Sequence, residues 1–166
     1  FKELSKNAIP PGLEVPNESA NTELLAIDFA VTKDSDGNYL PQLIELQGFA
    51  SLYCYQELLD MKMRAHFDIP ENYTHRFRGL THETYLEKLK KTLIGDENPE
   101  NVILLEIEPD KQKTAIDFWA TDDWLGITPV HIGDIEKEGK KLFYHKDGKK
   151  IQIKRIYNRI IFDDLQ

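Results

Sequence analysis

Sulfur is scarce in this chain of 166 residues: two methionines and one cysteine, Cys54. A lone cysteine excludes an internal disulfide and any thiolate cluster for a structural metal. Positive charge is also short. Lys plus Arg number 21 against 29 for Asp plus Glu, a net charge of −8, and such a surface repels phosphate backbones, so no nucleic-acid partner is expected. No apolar run approaches the ~20 residues of a membrane-spanning helix, and no charged-then-apolar opening of the signal-peptide kind is seen. The expectation is a cytoplasmic protein with no membrane partner. Nine glycines are present, yet none forms a glycine-rich, lysine-bearing loop of the kind that covers nucleotide phosphates. Repeats and low-complexity tracts are absent. The first residue is Phe1 rather than Met, which suggests a portion of a longer chain.

What is present reads as an α/β domain. Residues 1–22 hold Pro10, Pro11 and Pro16 without sustained periodicity and are expected to form an extended lead-in, leaving 23–166 as one domain. Two apolar runs, Leu24–Val31 and Leu40–Leu46, flank Asp36-Gly37, a hairpin signal. Helices are expected over 52–66, over 82–94 with Thr81 as N-cap and Gly95 as stop, and over 114–125, where Thr114-x-x-Asp117 spells a capping box and Gly126 the end. The dense run Val102–Ile107 and the segment Ile127–Ile132 enclose that last helix. Strand, helix, strand is a βαβ unit and implies parallel pairing with cover on both faces. A short helical turn near 134–138 should precede a second hairpin around Asp147-Gly148, and Ile156–Phe162 reads as a final strand. The expectation is a mixed sheet carrying a Rossmann-like βαβ unit and two hairpins.

The first hairpin places acids together. With Asp36-Gly37 as a two-residue turn, Ser35 faces Asn38, Asp28 faces Glu45 and Ala26 faces Gln47. Period-two alternation puts Ala26, Asp28, Glu45 and Gln47 on one face, and Ile27, Phe29, Val31, Ile44 and Leu46 on the other. Directly opposed like charges destabilise a sheet, so either a divalent cation or a positive side chain, Lys33 or Arg159 for instance, must balance them. The three oxygen donors of Asp28, Glu45 and Gln47 suit a hard ion such as magnesium. On the final strand, alternation sets Arg155, Tyr157 and Arg159 on one side. Two arginines so placed suit a carboxylate or phosphate, or else ion pairs with the acidic excess. The histidines, His66, His75, His82, His131 and His145, show no helical metal-ligand spacing. Cys54, Trp119 and Trp124 read as packing residues.

The pattern Ile27-Asp28-Phe29-Ala30, a turn, then Gln42-Leu43-Ile44-Glu45-Leu46-Gln47 and the small-residue loop Gly48–Ser51 resembles the glutathionylspermidine synthase family. The later segments His131-Ile132-Gly133-Asp134-Ile135 and Leu142-Phe143 resemble the same family, and Ile156-Tyr157-Asn158-Arg159, then Asp163-Asp164, also resembles the circularly permuted ATP-grasp ligases. The resemblance spans roughly residues 24–166. It implies a pre-ATP-grasp unit on the substrate side of a carboxylate–amine ligase, inactive when isolated, whose nucleotide module lies downstream in a longer parent chain. Asp28, Glu45 and Gln47 would then hold Mg2+ at the ATP site, and Ser51, Arg155 and Arg159 would meet a small carboxylate or amine substrate. This sequence departs from the family at Ala26, where an arginine is usual, and at Gln47, where an asparagine is usual. Those departures keep open a degenerate domain that binds a ligand or partner without catalysis.

Overall fold

Val102–Glu106 is the strand around which the larger part of the chain is organised. In the computed structural model, which describes residues 21–161 together with 3, 11, 12, 15–19 and 165, the chain divides into two units, 1–50 and 51–166. Most of the expected 1–22 lead-in lies outside the described residues; Pro11, Gly12 and the stretch 15–19 are exposed.

The first unit contains a hairpin of β1 (Ala26–Lys33) and β2 (Tyr39–Gln47), which forms a two-stranded antiparallel sheet of its own. Its turn is longer than a two-residue loop. The last pair is Lys33 with Tyr39, and residues 34–38 close on the Asp34 side chain, whose Oδ1 accepts the amides of Asp36 and Asn38, each at 2.9 Å. Gly37 takes the positive φ, 83°, that the loop needs. The expected Ser35–Asn38 pair is therefore absent, and the register beyond the turn is displaced by one residue. A β-bulge between Asp28 and Phe29 takes up Ile44 as the extra residue and restores the register, so Asp28 faces Glu45 and Ala26 faces Gln47 as expected.

The second unit begins with α1 (Tyr53–His66) and α2 (His82–Ile94), followed by β3 (Val102–Glu106), α3 (Ala115–Leu125), β4 (Thr128–His131), β5 (Glu136–Glu138), β6 (Lys141–Lys146), β7 (Lys149–Ile153) and β8 (Arg155–Asn158). The strands β4, β3 and β8 form a parallel sheet in that order, and β5, β6 and β7 an antiparallel one. The βαβ unit is thus β3–α3–β4. Val102, Ile103 and Leu104 are completely buried because β3 is covered on both faces. Ile103 packs with Val130, Tyr144 and Ile153 under the antiparallel sheet. By the strand's alternation, Val102, Leu104 and Glu106 point the other way. In α3, on the helical side of the core, Phe118 and Leu125 are fully or almost fully buried.

Local chemistry sets the helix ends. Thr81 and Thr84 form a reciprocal capping box for α2: Thr81 Oγ1 accepts the Thr84 amide and Thr84 Oγ1 accepts that of Thr81. Gly126, φ 73°, closes α3 in the left-handed conformation. The capping box expected at Thr114 and Asp117 does not form, because Thr114 makes no side-chain cap bond. Asp117 is buried and turned towards α1, where its Oδ1 accepts the Tyr55 amide at 2.8 Å and its carboxylate also takes the Cys54 amide. It caps α1 from another helix, at an N-terminus where Leu52, φ 67°, has no side-chain cap to offer. A second correction concerns 134–138. The turn lies at Ile132–Asp134 and Glu136–Glu138 is a strand, pinned by Lys150, whose Nζ is 2.6 Å from both Glu136 and Glu138.

Candidate functional site

In the hairpin, three of the expected residues come together. Asp28 and Glu45 are direct cross-strand partners, and Gln47 Nε2 donates to Asp28 Oδ2 at 2.9 Å. The Gln47 amide thus relieves part of the opposition by presenting its nitrogen to Asp28. Two carboxylates on one face suit a small hard cation keeping several waters, and Gln47 joins them as a third oxygen donor once its amide is turned over. The surrounding burial is the reverse of an ordinary amphipathic hairpin. Along β1, Ala26, Asp28, Ala30 and Thr32 are half-buried, whereas Ile27, Phe29 and Val31 are exposed, Val31 at 77%. Leu43, Ile44 and Leu46 on β2 are exposed too.

The second unit separates the other expected residues. Ser51 is half-buried just ahead of α1. Arg155 begins β8, opposite Val102, and its guanidinium donates to the Thr92 carbonyl at 3.0 Å. It also lies over Gly95, where any Cβ would strike it. Arg155 therefore satisfies a carbonyl in the last turn of α2. Arg159 lies beyond the other end of the strand. Its amide continues the ladder to the Leu105 carbonyl at 2.9 Å, and its side chain is buried. It lines a cleft of about 380 Å³ with Glu106, Lys111, Lys113 and Thr114. This cleft lies at the carboxyl ends of β3 and β8, where the chain leaves the central strand towards β4 on one side while β8 flanks the other. Open α/β sheets bind ligands in that kind of crevice; Lys113 and Arg159 bring positive charge beside the start of α3, which suits an anion, while Lys111 is paired with Glu108 and Glu106 lines the same cleft.

A further cluster was not read from the sequence. Glu57, completely buried in α1, accepts from Arg76 Nε and Nη2, from His75 Nε2 at 3.0 Å and from His82 Nδ1 at 2.8 Å. Burial pushes the Glu57 carboxyl up, but the bonds from Arg76, His82 and His75 outweigh it and hold the group below its usual range. The same contact with Glu57 raises Arg76. Asp60, one turn on, pairs with Arg64 and also lies below its usual range, its partners outweighing desolvation. The legible signal was position: Glu57 follows Cys54 by three residues and shares its buried face. Cys54 itself is inert, its thiol pushed by burial to about 12.

Among the described residues, no group of three or more His, Cys, Asp or Glu side chains is arranged to hold a metal ion, so any cation at the hairpin depends on the Gln47 amide. No helix among them is long and apolar enough to cross a membrane. Compared with protein-family models, with curated proteins and with solved structures, the chain matches none of them.

Proposed function

We propose that this chain is the substrate-side portion of an ATP-dependent carboxylate–amine ligase of the ATP-grasp kind, cytoplasmic and inactive by itself. The observation that carries the reading is the Asp28–Glu45 cross-strand pair with Gln47 bonded to Asp28. These three residues would hold Mg2+, which in such ligases neutralises nucleotide phosphates while they are transferred. The exposed apolar side of the hairpin supports the same reading, because an isolated two-stranded hairpin is marginal in water and requires cover. A downstream nucleotide module of a longer parent chain is the cover proposed. In the second unit, Arg159 with Lys113 would hold the carboxylate of a small substrate by charge-assisted hydrogen bonds. The net charge of −8 argues against a nucleic-acid partner.

One observation favours a second reading. Ala26, paired with Gln47 beside the acids, brings no positive charge to a developing phosphoryl centre, as in a relative that binds a ligand without turning it over. ADP release separates the two. The 166-residue chain should release none. In the complete protein supplied with ATP, a carboxylate and an amine, Glu45→Ala should reduce release by about 100-fold or more, the scale of losing a transition-state charge stabiliser. Ligand binding by the complete protein with no ADP release would favour the second reading. Turnover by the isolated chain, or turnover indifferent to Glu45→Ala, would contradict the first.

A further inference from the structure

A cleft of about 690 Å³ runs between α1 and α3, wholly within the second unit. Its α1 wall is Leu58, Met61, Lys62 and Ala65, spaced i, i+3, i+4 and i+7 along one stripe of the helix. Its α3 wall repeats that spacing with Ile116, Trp119, Ala120 and Asp123. Ala120 is buried and Leu58 half-buried, so they lie at the floor. Trp124 also lines the cleft, and the His82 ring meets it edge-on with centroids 5.4 Å apart. Met61, Ile116 and Trp119 stand at the rims, and Trp119 is 56% exposed. Expected from the sequence to pack, Trp119 leaves more than half of its surface uncovered within one copy. Exposed Trp and Met side by side are characteristic of the core of a protein–protein contact.

Charge decides what covers this face. The chain carries −8, so two copies repel wherever their acidic surfaces meet. The cleft is different. Lys62 on one rim and Asp123 on the other cancel, both are exposed, and neither has an ion-pair partner among the described residues. The face is thus apolar at its centre, neutral in sum, and of opposite sign on its two rims. Such a pattern is self-complementary, as a twofold contact between identical surfaces requires. We propose that the chain forms a twofold dimer through the α1–α3 cleft. An axis lying along the cleft sets the α1 rim of each copy over the α3 rim of the other. Lys62 then meets Asp123 twice, and each Trp119 enters the space left beside the partner's Ala65. The proposal is independent of the ligase reading and would stand without it.

Sedimentation equilibrium tests this on the 166-residue chain. At about 100 μM, above the micromolar end of ordinary interfaces, the mass should be twice the 19.3 kDa of one copy. Trp119→Ser should weaken the dimer about 30-fold or more, the scale of a hot-spot residue. Lys62→Asp and Asp123→Lys each set like charges together twice, so each variant alone should be monomeric at that concentration. Mixed in equal amounts, the two variants should dimerise again, because both ion pairs are then made between one variant and the other. All three positions are exposed, and far-ultraviolet circular dichroism checks that each variant keeps its helices. A monomeric native chain overturns the proposal, as does a dimer indifferent to Trp119→Ser or to either charge reversal. A mixture of the two charge variants that stays monomeric overturns it as well.

Discussion

Glu57→Gln is expected to lower stability by about 3 kcal/mol at neutral pH, because removing one partner of a buried pair leaves the other charge, here Arg76, with only its longer contact to Asp60. Urea unfolding followed by tryptophan fluorescence would measure it, since Trp119 and Trp124 both belong to the same unit. The sign of its pH dependence follows from the lowered Glu57 carboxyl. A carboxyl depressed by folding contributes stability above its unfolded value, near 4.5, and loses it as pH falls through the folded value. The gap between native chain and variant should therefore be full at pH ~7 and shrink below pH ~4.5. Replacing the pair together by apolar residues, Glu57→Met with Arg76→Met, should recover much of the loss, since a buried ion pair exchanged for apolar packing is often neutral. A gap independent of pH would assign the effect to packing rather than charge.

Asp117→Ala should lower stability by about 2–3 kcal/mol, combining the loss of an N-cap with two buried amides left without their acceptor. The affected amides are those of Cys54 and Tyr55, at the start of α1. Asp117→Asn keeps an oxygen in the same place and should cost less than about 1 kcal/mol. Its pH dependence runs opposite to that of Glu57. Burial raises the Asp117 carboxyl, against the amide bonds and the charge of Arg159, so the stability linked to its protonation is present at low pH and lost as pH rises through the folded value. The native chain should therefore lose ground to Asp117→Asn as pH rises out of the acid range. Denaturation series on the two variants from about pH 3 to pH 7 would check both signs. Equal losses for Ala and Asn would mean that the carboxylate's oxygen is not what holds α1.

These two acids show where reading the sequence ran out. Helix limits, the βαβ unit and both hairpins were legible because periodicity, Gly95, Gly126 and the Asp147-Gly148 turn act locally; Asp147 and Gly148 both take the positive φ of a two-residue hairpin turn. Asp117 was misread because Thr114-x-x-Asp117 has the spacing of a local cap, while its partner amides lie some sixty residues away in sequence. Glu57 was missed for a related reason: a carboxylate on a buried helix face makes sense only once Arg76, His75 and His82 have been brought to it by the turn between α1 and α2. The Asp28–Glu45 pairing was reached through a turn one register out, and the bulge at Asp28 cancelled that displacement. The exposure of the hairpin's apolar side was not legible, because alternation tells which residues share a face and not which face is covered.

The central claim is that Asp28, Glu45 and Gln47 form one cation site, and manganese titration of the 15N-labelled chain tests it most directly. Mn2+ accepts the same oxygen ligands as Mg2+ and broadens nearby amide signals. At millimolar-range metal, reflecting the weak affinity expected without nucleotide phosphates, broadening should begin at residues 26–30 and 44–48 and disappear from them in Glu45→Ala. Broadening that starts elsewhere, or that persists around Asp28 in Glu45→Ala, would contradict the account.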